Sequence, residues 1–484
     1  MKFSNSYFYL GDAFYQRVIP TPVAKPELLF WNTQLAESLQ INECLASNDK
    51  LKAQYFSGNQ LHENSEPIAL AYCGHQFGHL SPQLGDGRAH LIGEMLDKNN
   101  HRVDIQLKGS GPTLFSRQGD GRCALGPAIR EYIMSEAMHF LAIPTSRCLS
   151  VVTTGESVYR EILKPGAVVT RVASSHIRVG TFQYFAIRND IASLTTLLEY
   201  SINRHFPDIN NTLTNKPLQF LERVMTKQIE LVVQWMRVGF IHGVMNTDNV
   251  TISGETIDFG PCSMMGIYDP NTVYSAIDTQ GRYAFGNQPN ITFWNMTRLA
   301  ECLLPLINQD EKEAIALLEP LLMTFSQQFE QAYFSMLAHK LGLPEITTCD
   351  HILITGLLEK MKNKKLDYTQ LFTELTQSLD NANIAIDLKD KLGDWYDIWR
   401  SHLAQAQIDI KISKTLMKKS NPIVIPRNHH VESVLKSCQE TSDTKAVDDF
   451  LTVLRSPYDE LTTTKNYQDT PSDDDRHYHT FCGT

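Results

Sequence analysis

The sequence lacks both a membrane-length apolar run and any closely spaced pair of cysteines. No stretch approaches the roughly 18 to 20 consecutive apolar residues that a membrane helix needs. Residues 1–18 lack an apolar signal core and an Arg-rich amphipathic pattern, so neither a signal peptide nor a transit peptide is expected. The nine cysteines contain no Cys-x-x-Cys pair, which argues against a zinc site and against a disulfide framework. We therefore expect a cytoplasmic protein with no membrane partner.

The chain also lacks the excess of basic residues that is typical of nucleic-acid-binding proteins. It has 44 Lys and Arg residues against 54 Asp and Glu residues, a formal net charge of −10, so no nucleic-acid partner is expected. Its 42% hydrophobic and 20% charged residues are typical of a soluble globular protein. A length of 484 residues allows two or more lobes, each with its own core.

The most informative segment is Ile241–Gly260. Val250–Ile252 and Thr256–Ile257 are short β-prone runs around a Ser-Gly-Glu turn, which predicts a tight hairpin. Asn249 precedes the first run and Asp258 follows the second, so the hairpin would bring an amide oxygen and a carboxylate together. Oxygen ligands of this kind are what Mg²⁺ prefers. An ordinary surface turn is the alternative, because Asn and Asp are common turn formers.

The same segment is similar to the catalytic loop of protein kinases, with one part changed. The Asp-Phe-Gly triplet begins at Asp258, and His242 matches the kinase His-Arg-Asp motif. Five residues before Asn249, where kinases carry the catalytic Asp, the chain has Val244. The only spare acid in the loop is Asp248.

Phosphate-binding candidates lie earlier in the chain. The tetrapeptide Gly-Asp-Gly-Arg occurs twice, at 85–88 and 119–122. Glycines allow backbone N–H groups to approach an anion, and the arginine adds a fork of donors; two unrelated tight turns are the alternative. Lys108 ends a predicted strand and could reach phosphate oxygens, and either Glu131 or Glu136 on the next predicted helix could pair with it.

Two further arginines, Arg171 and Arg178, lie seven positions apart among small and β-prone residues. A kinase does not need both of them to bind its nucleotide. They would suit a triphosphate that is held in a different way.

The periodicity of the chain predicts an α+β fold. Strands are predicted at 89–94, 103–108 and 151–153, and a helix at 129–140. From about residue 194 the pattern becomes mainly helical, with helices predicted at 218–238, 291–304 and 313–341. A small β-rich lobe followed by a larger helical lobe is the layout of protein kinases.

Several long motifs in the same order resemble the selenoprotein O family of kinase-like protein adenylyltransferases. The resemblance spans nearly the whole chain and rests on the segments at 72–78, 83–88, 106–111, 116–122, 129–131, 135–139, 171–173, 242–249 and 280–283. It implies a bilobal protein-kinase-like (pseudokinase) fold that binds ATP inverted relative to ordinary kinases and transfers AMP from ATP, or UMP from UTP, to hydroxyl groups of target proteins. It divides the chain into an N-terminal extension (1–70), a kinase-like N-lobe (71–190), a helical C-lobe (191–460) and a flexible tail (461–484).

The resemblance also implies a role for each matching residue. Lys108 would pair with Glu131 and contact phosphate, Asp248 would be the catalytic base, and Asn249 and Asp258 would bind Mg²⁺ or Mn²⁺. The residues implied to bind ATP are Gly85, Gly87, Arg88, Lys108, Asp120, Gly121, Arg171, Arg178 and Asp258.

The C-terminal tail contains Cys482, which we expect to be mobile and which resembles a reactive cysteine of the family. The resemblance suggests a disulfide with a thiol after Asp-Phe-Gly. Cys262 is the available candidate, whereas the usual partner of the family would lie near Tyr274.

Two other functions remain open. Ordinary ATP-dependent protein kinase activity is one. A non-catalytic nucleotide-binding scaffold or redox sensor is the other, because Val244 occupies the usual position of the base.

Overall fold

A computed structural model describes residues 1–211, 215–405, 409–441, 443–471, 475 and 478–480. The fold is α+β, as predicted, and the strands concentrate in the first 173 residues. The strands are β1 (Tyr15–Arg17), β2 (Glu27–Trp31), β3 (Ile68–Leu70), β4 (Gly74–Gln76), β5 (His79–Ser81), β6 (Ala89–Leu96), β7 (Arg102–Lys108), β8 (Cys123–Ala124), β9 (Arg147–Arg160), β10 (Ile162–Ala173), β11 (Phe240–Ile241) and β12 (Ser263–Met264).

The main sheet has eight strands, in the order β1-β3-β6-β7-β10-β9-β2, with β8 paired to β10. All of its pairings are antiparallel. On β7, Ile105 and Leu107 belong to the core beneath the helices that follow β2. Because side chains alternate across a strand, Gln106 and Lys108 face the opposite side of the sheet. That side is covered by the helix after β8, whose Ile129 and Ile133 belong to the larger core.

Helices dominate the rest of the chain, and all four of the predicted helices are present. The helices are α1 (Thr33–Ser38), α2 (Glu43–Ala46), α3 (Asp49–Ser57), α4 (Leu125–Phe140), α5 (Val179–Ala186), α6 (Ile191–His205), α7 (Lys216–Val238), α8 (Gln288–Ile307), α9 (Glu311–Lys340), α10 (Thr348–Lys364), α11 (Tyr368–Gln377), α12 (Ala382–Leu392), α13 (Asp394–Gln405), α14 (Ile410–Ser420), α15 (Asn428–Thr441) and α16 (Lys445–Leu454). Short 3-10 helices lie at Phe8–Leu10, Pro207–Asn211, Phe285–Asn287 and Thr464–Tyr467.

The strongly periodic segment at 218–238 illustrates why a helix forms. The side chain of Asn215 accepts a hydrogen bond from the Leu218 N–H and caps α7, a contact worth about 1 kcal/mol. Pro217 occupies the first turn, where its missing N–H is not needed. Gly239 ends the helix with a left-handed φ of 78°, which glycine adopts at little cost. Helix α7 leads directly into β11 and the 241–260 segment.

The predicted hairpin in that segment is wrong in its pairing. Thr251 bridges to Arg178, and Thr256 bridges to Thr145, so the two runs pair with other parts of the chain and not with each other. Within the turn, Glu255 N donates to Thr251 Oγ1 over 3.0 Å. The turn still reverses the chain, so the residues on either side of it remain close together.

None of the helices in the described ranges combines the length and the apolar character that crossing a membrane requires.

Candidate active site

A cleft of about 470 Å³ opens on the face of the sheet that carries Lys108. Its walls come from β6, β7 and β10, from the turns that precede β6 and β8, and from the 244–258 segment. Every predicted site residue except Glu131 lines this cleft: Gly85, Gly87, Arg88, Lys108, Asp120, Gly121, Arg171, Arg178, Asp248, Asn249 and Asp258. Residues up to 173 positions apart in the sequence (258 − 85) therefore surround one space.

Lys108 is held by two carboxylates at the inner end of the cleft. Its Nζ lies 2.7 Å from Glu131 Oε2 and 2.5 Å from Asp258 Oδ1. Glu136, the other candidate partner, binds Arg147 through two contacts of 2.8 and 2.9 Å. The ambiguity left by the sequence is thus resolved in favour of Glu131, which α4 places beneath the sheet.

Arg171 joins the same cluster from the neighbouring strand. It lies opposite Gln106 in the β10–β7 register, two positions from Lys108, so both cations project from one face of the sheet. Its Nη2 is 2.5 Å from Glu131 Oε1 and 3.5 Å from Asp258 Oδ1. Glu131 and Asp258 therefore each contact both cations, which fixes the four side chains relative to one another.

This cluster determines the charge of Asp258. Burial by itself would raise the pKa of this carboxyl, but Lys108, Arg171 and Arg88 together hold it well below its ordinary value. The backbone at Asp258 has a φ of 69°, a left-handed conformation that residues other than glycine rarely adopt and that is often found at functional sites. The side chain keeps 28% of its surface exposed. An ionised oxygen ligand is therefore accessible from the cleft.

Arg178 carries two N–H donors that have no acceptor among the described residues. Its guanidinium lies 4.2 Å from the centre of the Tyr72 ring, and Nη1 is 3.6 Å from Asp86 Oδ1, beyond hydrogen-bond range. Its Nε and Nη1 are shielded from solvent and have no hydrogen-bond partner among the described residues. Buried donors are nearly always paired, so these two nitrogens are available to donate to an anion in the cleft.

Asp248 lies on the opposite wall, against β4. One carboxylate oxygen, Oδ1, is shielded from solvent and has no hydrogen-bond partner in the described part of the chain. Gly74 packs so closely that a Cβ at its position would lie 2.3 Å from this oxygen. Burial raises the pKa of Asp248 to about 6, within the range that suits a general base at neutral pH. Val244, at the kinase base position, is a buried apolar residue that lines the same cleft.

Asn249 and Asp258 fit the predicted Mg²⁺ or Mn²⁺ site. Asn249 donates through Nδ2 to Val244 O over 3.0 Å, so its amide oxygen is the atom that can coordinate an ion. His242 Nε2 donates to Ile257 O over 2.9 Å and fastens the backbone next to Asp258. An amide oxygen and an ionised carboxylate are the hard ligands that these ions prefer.

The first Gly-Asp-Gly-Arg turn was expected to direct its backbone N–H groups at an anion, and the structure differs. Gly85 N donates to Tyr72 O and Gly87 N donates to Gly85 O, so neither N–H is directed at an anion. A Cβ on Gly85, where φ is 73°, would lie 2.2 Å from the Phe115 ring. Glycine is thus required here by close packing, and Arg88 is the residue of this turn that could contact a phosphate.

The second turn is fastened to its surroundings. Asp120 accepts two hydrogen bonds of 2.7 and 2.8 Å from Arg160, and Arg122 donates to the carbonyls of Thr21 and Pro22. A Cβ on Gly121 would lie 2.1 Å from Gly111 C. These contacts fix the shape of the loop that forms the outer rim of the cleft.

Sequence reasoning missed Asp86, the acid between the two glycines of the first turn. Its carboxylate accepts hydrogen bonds from Leu70 N, Tyr72 Oη and Gln106 Nε2 at 3.0–3.2 Å, and it lies beneath Arg178. This buried carboxylate orients the arginine that has unused donors. The repetition of Asp inside both tetrapeptides was the signal that could have identified it.

The tail runs alongside the segment after Asp-Phe-Gly. Thr480 bridges to Ser275 and its N–H donates to Tyr274 O over 2.8 Å. Cys262 is fully buried, which raises the pKa of its thiol to about 12. Cys482 lies outside the described residues, so its predicted disulfide remains a prediction.

Comparisons with known proteins identify the family of the chain. The family model described as Protein adenylyltransferase SelO matches residues 1–455. The chain is 51% identical over 485 residues to protein nucleotidyltransferase YdiU of Teredinibacter turnerae, with 100% of both chains covered. It is 51% identical over 478 residues to the Pseudoalteromonas translucida protein of that name, with 99% of each covered. It is 49% identical over 485 residues to the Bacillus cereus protein, covering 99% of this chain and 98% of the relative. The family and these names indicate a protein nucleotidyltransferase, and the chain belongs to the SelO family of protein adenylyltransferases.

Proposed function

We propose that this protein transfers AMP from ATP to Ser, Thr or Tyr hydroxyl groups of target proteins and releases pyrophosphate. Membership of the SelO family supports nucleotidyl transfer, and the charges of the cleft support binding of a triphosphate. The proposal includes a bilobal kinase-like fold with an N-lobe over 71–190 and a C-lobe over 191–460. It also includes a nucleotide that lies inverted relative to ordinary kinases.

The observation that carries the proposal is the set of unused donors on Arg178. Arg88, Lys108 and Arg171 line the same cleft, and these four are among the seven Lys and Arg residues of its lining. The carboxylates of Glu131 and Asp258 already offset part of the charge of Lys108 and Arg171. A polyphosphate would supply acceptors to the donors that remain, and Arg178 would then hold the pyrophosphate that leaves.

Asp248 is the proposed base for the transfer. With a pKa of about 6 it is mostly ionised at pH 7, so it can accept the proton of an incoming hydroxyl. The hydroxyl oxygen attacks the α-phosphorus, the new O–P bond forms as the bond to the β-phosphate oxygen breaks, and pyrophosphate departs. Cationic side chains on the leaving side meet the charge that develops there.

Asn249 and Asp258 would hold Mg²⁺ or Mn²⁺ when the nucleotide binds. Such an ion neutralises phosphate charge and orients the triphosphate. Lys108 keeps the Asp258 carboxylate ionised and in place, and His242 holds the adjoining backbone.

Two labels in ATP test the proposal. The protein is incubated with Mg²⁺ or Mn²⁺ and ATP that carries the label on either the α- or the γ-phosphate. We expect the α-label to be retained on protein and the γ-label to be released. Label from the γ-phosphate alone would indicate an ordinary kinase, and saturable nucleotide binding without any covalent product would indicate a scaffold. The proposed contacts are made to the phosphates and do not distinguish adenine from uracil, so α-labelled UTP is tested in parallel.

A further inference from the structure

A cluster of two histidines and one aspartate lies outside the cleft. His429 and His430 are the second and third residues of α15, and Asp469 follows the 3-10 helix Thr464–Tyr467. One nitrogen or oxygen atom from each of the three side chains lies within 4.8 Å of the other two. Across the described ranges, no other group of three His, Cys, Asp or Glu side chains converges in this way.

The contacts within the cluster leave one imidazole without a hydrogen-bond partner among the described residues. His430 Nε2 lies 2.8 Å from Asp469 Oδ1, a normal hydrogen bond. His429 Nε2 is 3.4 Å from Asp469 Oδ2, yet neither ring nitrogen of His429 makes a hydrogen bond to the described residues, and both are shielded from solvent. A desolvated polar atom without a partner costs about 1 to 3 kcal/mol, so an isolated His430–Asp469 pair does not explain the position of His429.

We propose that His429, His430 and Asp469 form a binding site for a divalent transition-metal ion of the Zn²⁺ type. Two imidazole nitrogens and one carboxylate oxygen are a ligand set that such ions accept, with a fourth position left for water. The lack of closely spaced cysteine pairs in the sequence argues only against a zinc site with thiolate ligands, and this site uses none.

The surroundings of the cluster are compatible with a cation. The first turn of a helix disfavours positive charge, but the Asp469 carboxylate offsets that effect. Arg427, the nearest arginine in the sequence, is neutralised by two contacts of 2.8 and 3.0 Å with Asp367. Asp469 is 62% exposed, so an ion can reach the site from solvent. On the other side, the Tyr467 ring packs 5.2 Å from the His430 ring and shelters it.

The position of the site suggests what the ion would stabilise. Its ligands come from α15 and from a segment 39 residues further along (469 − 430), so the ion would tie that segment to the helix. Asn428, next to the two histidines, exchanges two 2.9 Å hydrogen bonds with the backbone of Met264. The ion would therefore hold the C-terminal segment on α15. This helix in turn contacts the chain just after Asp-Phe-Gly through Asn428.

The test is a Zn²⁺ titration of the full chain, stripped with chelator, by isothermal calorimetry in excess Mg²⁺. The double variant His429→Gln/Asp469→Asn should bind one ion fewer per chain than the wild type, or bind it at least about tenfold more weakly. His101→Gln is the matched control, because His101 is an exposed histidine 3.5 Å from a single carboxylate, Asp97. It should leave the number of bound ions unchanged.

Cobalt provides a second measurement that does not depend on counting ions. Co²⁺ added to the wild type should give the visible absorption of a site with imidazole ligands, and His429→Gln alone should abolish it. Equal Zn²⁺ stoichiometry and affinity in the wild type and the double variant, or a cobalt spectrum that His429→Gln does not change, would overturn the proposal. Zn²⁺ bound only by the exposed thiols of Cys44 and Cys349 would produce that result.

Discussion

The unusual environment of Asp248 predicts that replacing this carboxylate stabilises the protein at neutral pH. Burial raises its pKa from 3.8 to about 6, a change of about 2 units, and each unit corresponds to about 1.4 kcal/mol. The raised pKa means that the folded state favours the protonated form, so ionisation destabilises the fold. This penalty is absent below about pH 4, grows as the pH rises to 6, and is complete above that value.

Asp248→Asn removes the penalty and should therefore be more stable than the wild type by about 3 kcal/mol at pH 8 and by about half of that at pH 5. For a chain of 484 residues the unfolding entropy is about 1 kcal/mol per kelvin, so the gain in Tm at pH 8 should be about 3 °C. The measurement is the difference in Tm between variant and wild type at pH 5 and pH 8. Comparing the Tm difference at pH 8 with the Tm difference at pH 5 removes any effect of the new amide that does not depend on pH.

The same variant should lose activity, because an amide cannot accept the proton; a loss of about 10²- to 10⁴-fold in kcat is expected for a general base. In the wild type, kcat/KM should fall about tenfold per pH unit below pH 6. Asp390→Asn, which changes an exposed carboxyl on α12, is the matched control and should alter neither property. If the stability gain of Asp248→Asn were the same at pH 5 and pH 8, the Asp248 carboxyl would not carry the desolvation penalty inferred from its shielded, unpaired Oδ1.

Three further predictions concern the walls of the cleft. Arg178→Met should raise the KM for ATP at least about tenfold, because it deletes buried donors that would bind phosphate; unchanged steady-state kinetics would refute that role. Gly74→Ala should lower kcat, since its Cβ would meet the Asp248 carboxylate at 2.3 Å, whereas Gly356→Ala, where the nearest contact is an ordinary 3.7 Å, should not. Glu131→Gln should lower Tm by about 3 to 5 °C in calorimetry, because it leaves Asp258 as the one carboxylate shared by two buried cations; a change below 1 °C would contradict this.

The sequence was a good guide where a pattern is local. The predicted strands at 89–94 and 103–108 lie within β6 and β7, and the helix predicted at 218–238 corresponds to α7. Such segments are set by the periodicity of apolar side chains, which the sequence contains in full. Motif resemblance then identified the residues that line the cleft.

Pairing between distant segments was not accessible in the same way. The runs at 250–252 and 256–257 have the composition of a hairpin, but their partners, Arg178 and Thr145, lie more than 70 residues away. Likewise, Glu131 and Glu136 are five residues apart on one helix and point about 140° from each other, at 100° per residue. Only the docking of α4 against the sheet selects Glu131 as the partner of Lys108.

The sequence by itself determined the kinds of groups that the protein can offer: an acid at Asp248, a lysine at the end of a strand, two arginines, and an Asn and Asp on either side of a turn. The tertiary structure decided their chemical state. Desolvation at Asp248, the two carboxylates that share Lys108, and the unused donors of Arg178 arise from packing between segments far apart in the chain. The convergence of His429 and His430 with Asp469 has the same origin, because burial and pairing depend on all of the neighbours of a side chain and not on its own segment.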